Sequence, residues 1–60
     1  MAETETVAVV DGPKGSAKIL EVWDQGRLIE HQVEVNGQTT TASNLGDAYI
    51  IAGEKVGKQT

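Results

Sequence analysis

The chain has 60 residues, a formal net charge of -4, a single histidine (His31) and no cysteine. The lack of cysteine excludes disulfides and Cys/His zinc sites, and the acid excess disfavours nonspecific nucleic-acid binding, which depends on Lys and Arg. A chain this short forms one small domain, residues 1–60, and buries only about 60% of the surface of its unfolded form. Tight packing or self-association must therefore supply its stability.

The composition and the first residues also predict where the protein resides. No apolar run reaches the roughly 18 residues that a membrane helix needs. The first ten residues, MAETETVAVV, are acidic, whereas a signal peptide begins with a basic segment. We therefore expect a cytoplasmic protein without a membrane partner. The polar segments 1–5 and 54–60 are expected to be flexible tails.

The first predicted strand, Thr6 to Val10, leads into the loop VDGPKGS, residues 10–16. A phosphate-binding loop of the Walker A type places lysine directly after glycine and continues into a helix. Here Lys14 precedes Gly15, and a strand pattern follows. We interpret the segment as a wide hairpin loop. Lys14, at the tip of this loop, is a minor candidate for contacting a partner.

The second and third strands are predicted over Ala17 to Trp23 and Arg27 to Val35, where apolar residues alternate with polar ones. Gln25-Gly26 between them suits a two-residue turn, with a three-residue loop as the alternative. We prefer the two-residue turn because its register matches the apolar faces of the two strands. It predicts these cross-strand pairs: Trp23 with Leu28, Val22 with Ile29, Glu21 with Glu30, and Leu20 with His31.

The third and fourth strands are predicted to meet at Asn36-Gly37, which strongly favours a type I′ turn. This turn places Val33 beside Thr40 and His31 beside Ala42. The fourth strand, Gln38 to Ala42, is rich in threonine and could form a sheet edge.

The segment 44–52 fits a strand or a helix, and we prefer the strand. Tyr49, Ile50 and Ile51 in succession favour a strand, whereas Leu45, Ala48 and Ala52 recur at helical spacing. With the strand, the fold is all-β, a small five-stranded antiparallel meander or SH3-like barrel. With the helix, it is a β-sheet of four strands with one short C-terminal helix.

Catalytic constellations are difficult to assemble from this sequence. His31 falls on the apolar face of the third strand, and Glu30 and Glu34 alternate onto the opposite face. We interpret His31 as a half-buried structural residue, because a general base needs an orienting partner within reach. The glutamates are expected on a solvated face. We therefore predict no enzyme activity, no catalytic residue, no cofactor and no metal site.

Trp23 is the strongest candidate for a binding residue, because tryptophan is enriched in interaction hot spots. With Ile19 and Leu28 it would form an exposed apolar patch, although it could instead fill the core. The leading hypothesis is a noncatalytic protein-interaction module, an accessory, inhibitor or regulatory subunit that binds a protein partner or forms a homodimer.

The alternative hypothesis is a nucleic-acid- or nucleotide-binding barrel. Trp23 and Tyr49 would stack on bases, and three basic residues would contact phosphates: Lys18, Arg27 and Lys55. The acid excess makes nucleic acid the less favoured partner.

Overall fold

A computed structural model describes residues 2–58. They form four strands and one helix: β1 (Ala2–Gly12), β2 (Gly15–Asp24), β3 (Arg27–Val35), β4 (Gln38–Ala42) and α1 (Leu45–Val56). The strands make an antiparallel meander in the order β1-β2-β3-β4, and α1 packs against this sheet. The predicted sheet of four strands with one C-terminal helix is therefore confirmed.

The segment 44–52 belongs to a helix, so the preferred fifth strand is wrong. Asn44 caps the helix, and its Oδ1 accepts a hydrogen bond from the Asp47 backbone N–H at 2.8 Å. The residues that face the sheet recur every four positions, at Ala48, Ala52 and Val56. Because β1 and β4 are opposite edges of this sheet, residues 2–58 do not close into a barrel.

The core lies between α1 and one face of the sheet. Four of the buried apolar residues within 2–58 are alanines, which let the helix approach the sheet closely. The core comprises Val10, Ala17, Ile19, Val33, Ala42, Ala48, Ala52 and Val56.

The loop VDGPKGS is a tight turn, so the prediction of a wide loop is wrong. β1 continues to Gly12 and pairs it with Gly15, which leaves only Pro13-Lys14 between the strands. The Lys14 backbone N–H donates to the Val56 carbonyl oxygen at 2.9 Å. This segment therefore holds the C-terminal end of α1.

The turn at Gln25-Gly26 has two residues, both with positive φ, and Trp23 pairs with Leu28 as predicted. Beyond that pair the register shifts, because Ile29 is an extra residue in β3. The predicted pairs Val22 with Ile29, Leu20 with His31 and Glu21 with Glu30 are therefore wrong. The observed pairs are Val22 with Glu30, Glu21 with His31, Leu20 with Gln32, and Ile19 with Val33.

The turn at Asn36-Gly37 forms as predicted, again with positive φ at both residues. The pairs Val33 with Thr40 and His31 with Ala42 are confirmed.

The segments predicted to be tails contain regular structure. Residues 2–5 extend β1, and residues 54–56 form the end of α1. Met1, Gln59 and Thr60 lie outside the described residues.

Three strands continue past the region that α1 covers. We call residues 2–6 of β1, 20–24 of β2 and 27–30 of β3 the distal arm. The buried apolar residues within 2–58 all lie outside the distal arm. The described chain is correspondingly elongated, with principal extents of 37 × 20 × 15 Å.

Candidate interaction surface on the distal arm

Two rows of paired residues cross the face of the distal arm that continues from the helix-covered face. β2 carries no extra residue, so Trp23 and Glu21 share a face with the buried Ile19. Cross-strand pairing then aligns two rows: Glu3, Trp23 and Leu28; and Glu5, Glu21 and His31. The single tryptophan of the chain thus lies beyond the core, among carboxylates.

The Trp23 ring is oriented by the second of these rows. Its Nε1–H donates to Glu21 Oε1 at 3.2 Å. The other carboxylate oxygen, Glu21 Oε2, lies 3.8 Å from His31 Nε2. Glu21 is therefore a positioning residue, which holds the indole on one side and contacts the buried imidazole on the other.

The row containing Glu21 places two carboxylates on adjacent strands. Glu5 and Glu21 are directly opposite on neighbouring strands, and like charges in that position destabilise a sheet. An open depression of about 720 Å³ lies beside this pair. It is lined by Glu3, Thr4, Glu5, Trp23, Gln25 and Gly26. Carboxylates around an aromatic ring favour a cationic group over an anionic one.

Apolar side chains continue from this depression to the end of the sheet. Leu28, opposite Trp23, is 44% exposed. Ile29 is 54% exposed, because its position as the extra residue of β3 takes it out of the alternation that buries His31 and Val33. The distal arm therefore combines an anchored aromatic ring, two exposed aliphatic side chains and an acidic border.

The structure separates the four residues predicted to bind a partner. It brings Trp23 and Leu28 together as a cross-strand pair. Ile19 is fully buried, so it is a core residue and contributes no surface to a partner of the folded chain. Lys14 is in the turn between β1 and β2, where its side chain lies beside Gly57.

His31 lies on the apolar face of β3 as predicted, but it is buried and not half-buried. Its carboxylate neighbour is Glu21, which the predicted register had placed opposite Glu30. Sequence reasoning also missed Glu3 and Glu5, because the N-terminal segment was taken for a tail. The pairing of Ile19 with Val33 was the available signal, since matching these apolar residues places Glu21 opposite His31.

The described residues contain no group of three His, Asp or Glu side chains that could hold a metal ion. Within 2–58, α1 is too short to cross a membrane. Comparison of the chain with protein-family models, with curated proteins and with solved structures found no match. The surface of the distal arm is therefore the feature that indicates a function.

Proposed function

We propose that this chain is a small noncatalytic protein-interaction module, an accessory, inhibitor or regulatory subunit, and that it binds a protein partner with the distal arm. The observation that carries the proposal is the Trp23–Leu28 pair with the exposed Ile29 beside it, on the parts of β2 and β3 that α1 leaves uncovered. An aromatic anchor with adjacent aliphatic side chains is typical of an interaction hot spot. The hydrogen bond to Glu21 orients the anchor before the partner arrives.

The charges around the arm indicate the chemistry of the partner. Glu3, Glu5 and Glu21 lie on the same face as Trp23, so a segment with Lys or Arg beside an apolar side chain complements this surface. The cation would relieve the repulsion between Glu5 and Glu21 and could approach the indole face. Such charges accelerate association and discriminate against acidic partners.

Nucleic acid is the weaker alternative on the same grounds. The carboxylates beside Trp23 would repel a phosphate backbone. Lys18 is on the opposite face of β2, and Tyr49 is on α1. A titration with single-stranded oligonucleotides at low salt tests this alternative, because tight binding there would favour it over a protein partner.

The experiment is selection of binding peptides from a random displayed library against the folded protein. We expect enrichment of sequences that combine Lys or Arg with aliphatic or aromatic residues. Each enriched peptide is then synthesised and titrated against Leu28→Ser and against Leu45→Ser. Leu45, at the start of α1, is 42% exposed, so it is a control of nearly the same exposure outside the distal arm.

The proposal predicts that Leu28→Ser weakens peptide binding by about tenfold or more, whereas Leu45→Ser leaves it unchanged. Trp23→Ser should also weaken binding without unfolding the chain, which circular dichroism checks. Enrichment of acidic peptides, or equal binding by wild type and Leu28→Ser, would contradict it.

A further inference from the structure

We propose that two copies of this chain associate by antiparallel pairing of their β1 strands, which joins two four-stranded sheets into one. Within residues 2–58, β1 is hydrogen-bonded to β2 alone and is a sheet edge over Ala2–Gly12. An unpaired edge of this length is a template for another strand. The paired segment overlaps the distal arm only at Thr6 and ends beside Glu5, and each proposal has its own test.

The C-terminal half of β1 lacks most of the protection that sheet edges usually carry. Glu3, Glu5 and the irregularity between Thr6 and Ala8 protect the first half, because charges and bulges oppose edge pairing. Val9, in the second half, is 55% exposed. This half of the edge therefore combines the exposed apolar Val9 with a single charge, Asp11.

The flank of α1 adds apolar surface next to this edge. Tyr49 and Gly53 line a depression together with Val9, Val10 and Asp11. Tyr49 is about half exposed, and Ile50 beside it is 63% exposed. A second copy paired along β1 would bring its own helix to the same face of the joined sheet, so these apolar side chains would become covered.

Charge disfavours two registers of the pair. Centring the two strands on Ala8 would place Glu5 opposite Asp11, and centring them on Val7 would place Glu3 opposite Asp11. Centring on Val9 avoids both like-charge pairs and still overlaps residues 6–12 of each copy.

The Val9-centred register also brings opposite charges together. The end of β1 that leads into the Lys14 turn of one copy then lies near Glu3 and Glu5 of the other. Lys58 lines the depression at the same end of β1 as Asp11, which adds a second cation there. The two ends of β1 are thus complementary when the strands run antiparallel.

The small core explains what association would contribute. Half of the core residues identified within 2–58 are alanines, so apolar burial inside one copy is limited. A domain of this size commonly gains stability from a partner. A two-fold pair would cover Tyr49 on the helix face of the joined sheet and set Val9 against its counterpart on the opposite face.

The test uses Val9, because the proposed register sets it against its own counterpart. Val9→Lys and Val9→Asp each place like charges across the two-fold axis. Sedimentation equilibrium over about 10 µM to 1 mM should show wild type rising towards the mass of two chains. Each single variant should have a dissociation constant raised by about tenfold or more, and an equimolar mixture of the two should associate again.

Circular dichroism establishes that both variants remain folded, since Val9 is largely exposed. Ile29→Asp is the control, because it introduces the same charge as Val9→Asp but on the distal arm. It should leave the association of the two copies unchanged. A wild type that stays monomeric throughout would overturn the proposal. It would also be overturned if Val9→Lys associated as wild type does, or if the mixture of the two variants stayed monomeric.

Discussion

Gly12→Ala tests the contact between the first hairpin and the end of α1. A Cβ atom at Gly12 would lie 2.5 Å from the Val56 carbonyl oxygen and 2.7 Å from Val56 Cγ2. Both separations are below the distance that real Cβ contacts reach, so Val56 must move. That movement would disturb the 2.9 Å hydrogen bond from the Lys14 N–H to the same oxygen.

The expected loss follows from these two effects. Overpacking costs about 1–3 kcal/mol, and the disturbed hydrogen bond adds about 1 kcal/mol. We therefore expect the free energy of unfolding to fall by about 2–4 kcal/mol, measured by urea denaturation followed by far-ultraviolet circular dichroism. For a domain that holds about 3–9 kcal/mol in total, this is a large fraction.

Gly53→Ala is the matched control for that measurement. Its Cβ would meet its nearest neighbour, the Lys58 carbonyl oxygen, at 3.7 Å, an ordinary contact. Because Gly53 lies within α1, alanine should raise the free energy of unfolding by about 0.5–1 kcal/mol. A Gly12→Ala protein within about 0.5 kcal/mol of wild type would refute the close approach of α1 to β1.

The remaining predictions concern the helix cap, the core and the tryptophan anchor. Asn44→Ala removes the acceptor for the Asp47 N–H and should cost about 1 kcal/mol in urea denaturation, whereas no loss would argue against this helix start. Ile19→Val should also lower the free energy of unfolding by about 1 kcal/mol, while peptide binding to the distal arm stays at the wild-type level. Weakened binding without loss of stability would instead place Ile19 in the interface. Glu21→Ala removes the acceptor for the Trp23 indole N–H, so time-resolved fluorescence anisotropy should show faster motion of the indole ring. Unchanged anisotropy would show that Glu21 does not orient the ring.

The local signals of this sequence predict the sheet well. Asn36-Gly37 and Gln25-Gly26 both form two-residue turns, because their residues adopt the positive φ that such turns require. Period-two alternation places Val33 and His31 on the buried face of β3. These features depend on neighbouring residues alone, so a single sequence reveals them.

The features that depend on tertiary packing could not be predicted in the same way. Tyr49, Ile50 and Ile51 have strand propensity, but burial of Ala48 and Ala52 against the sheet favours a helix. The residue pairs of the candidate site could not be predicted either, because one extra residue at Ile29 changes every pairing beyond it.

The first strand shows why the acidic part of the site was missed. Glu3 and Glu5 are polar and precede the first apolar run, which resembles a loose terminus. Only pairing with β2 brings them beside Trp23 and Glu21. Long-range strand pairing of this kind leaves little trace in local composition.

Chemical-shift mapping shows directly whether the distal arm binds a basic and apolar segment. A selected peptide is titrated into nitrogen-labelled protein, in which the Trp23 indole N–H is a unique probe. We expect the largest changes at this indole and at the backbone amides of Glu3, Leu28 and Ile29, with little change along α1. Largest changes on the outer face of α1 or at Lys14, with the Trp23 indole unaffected, would contradict it.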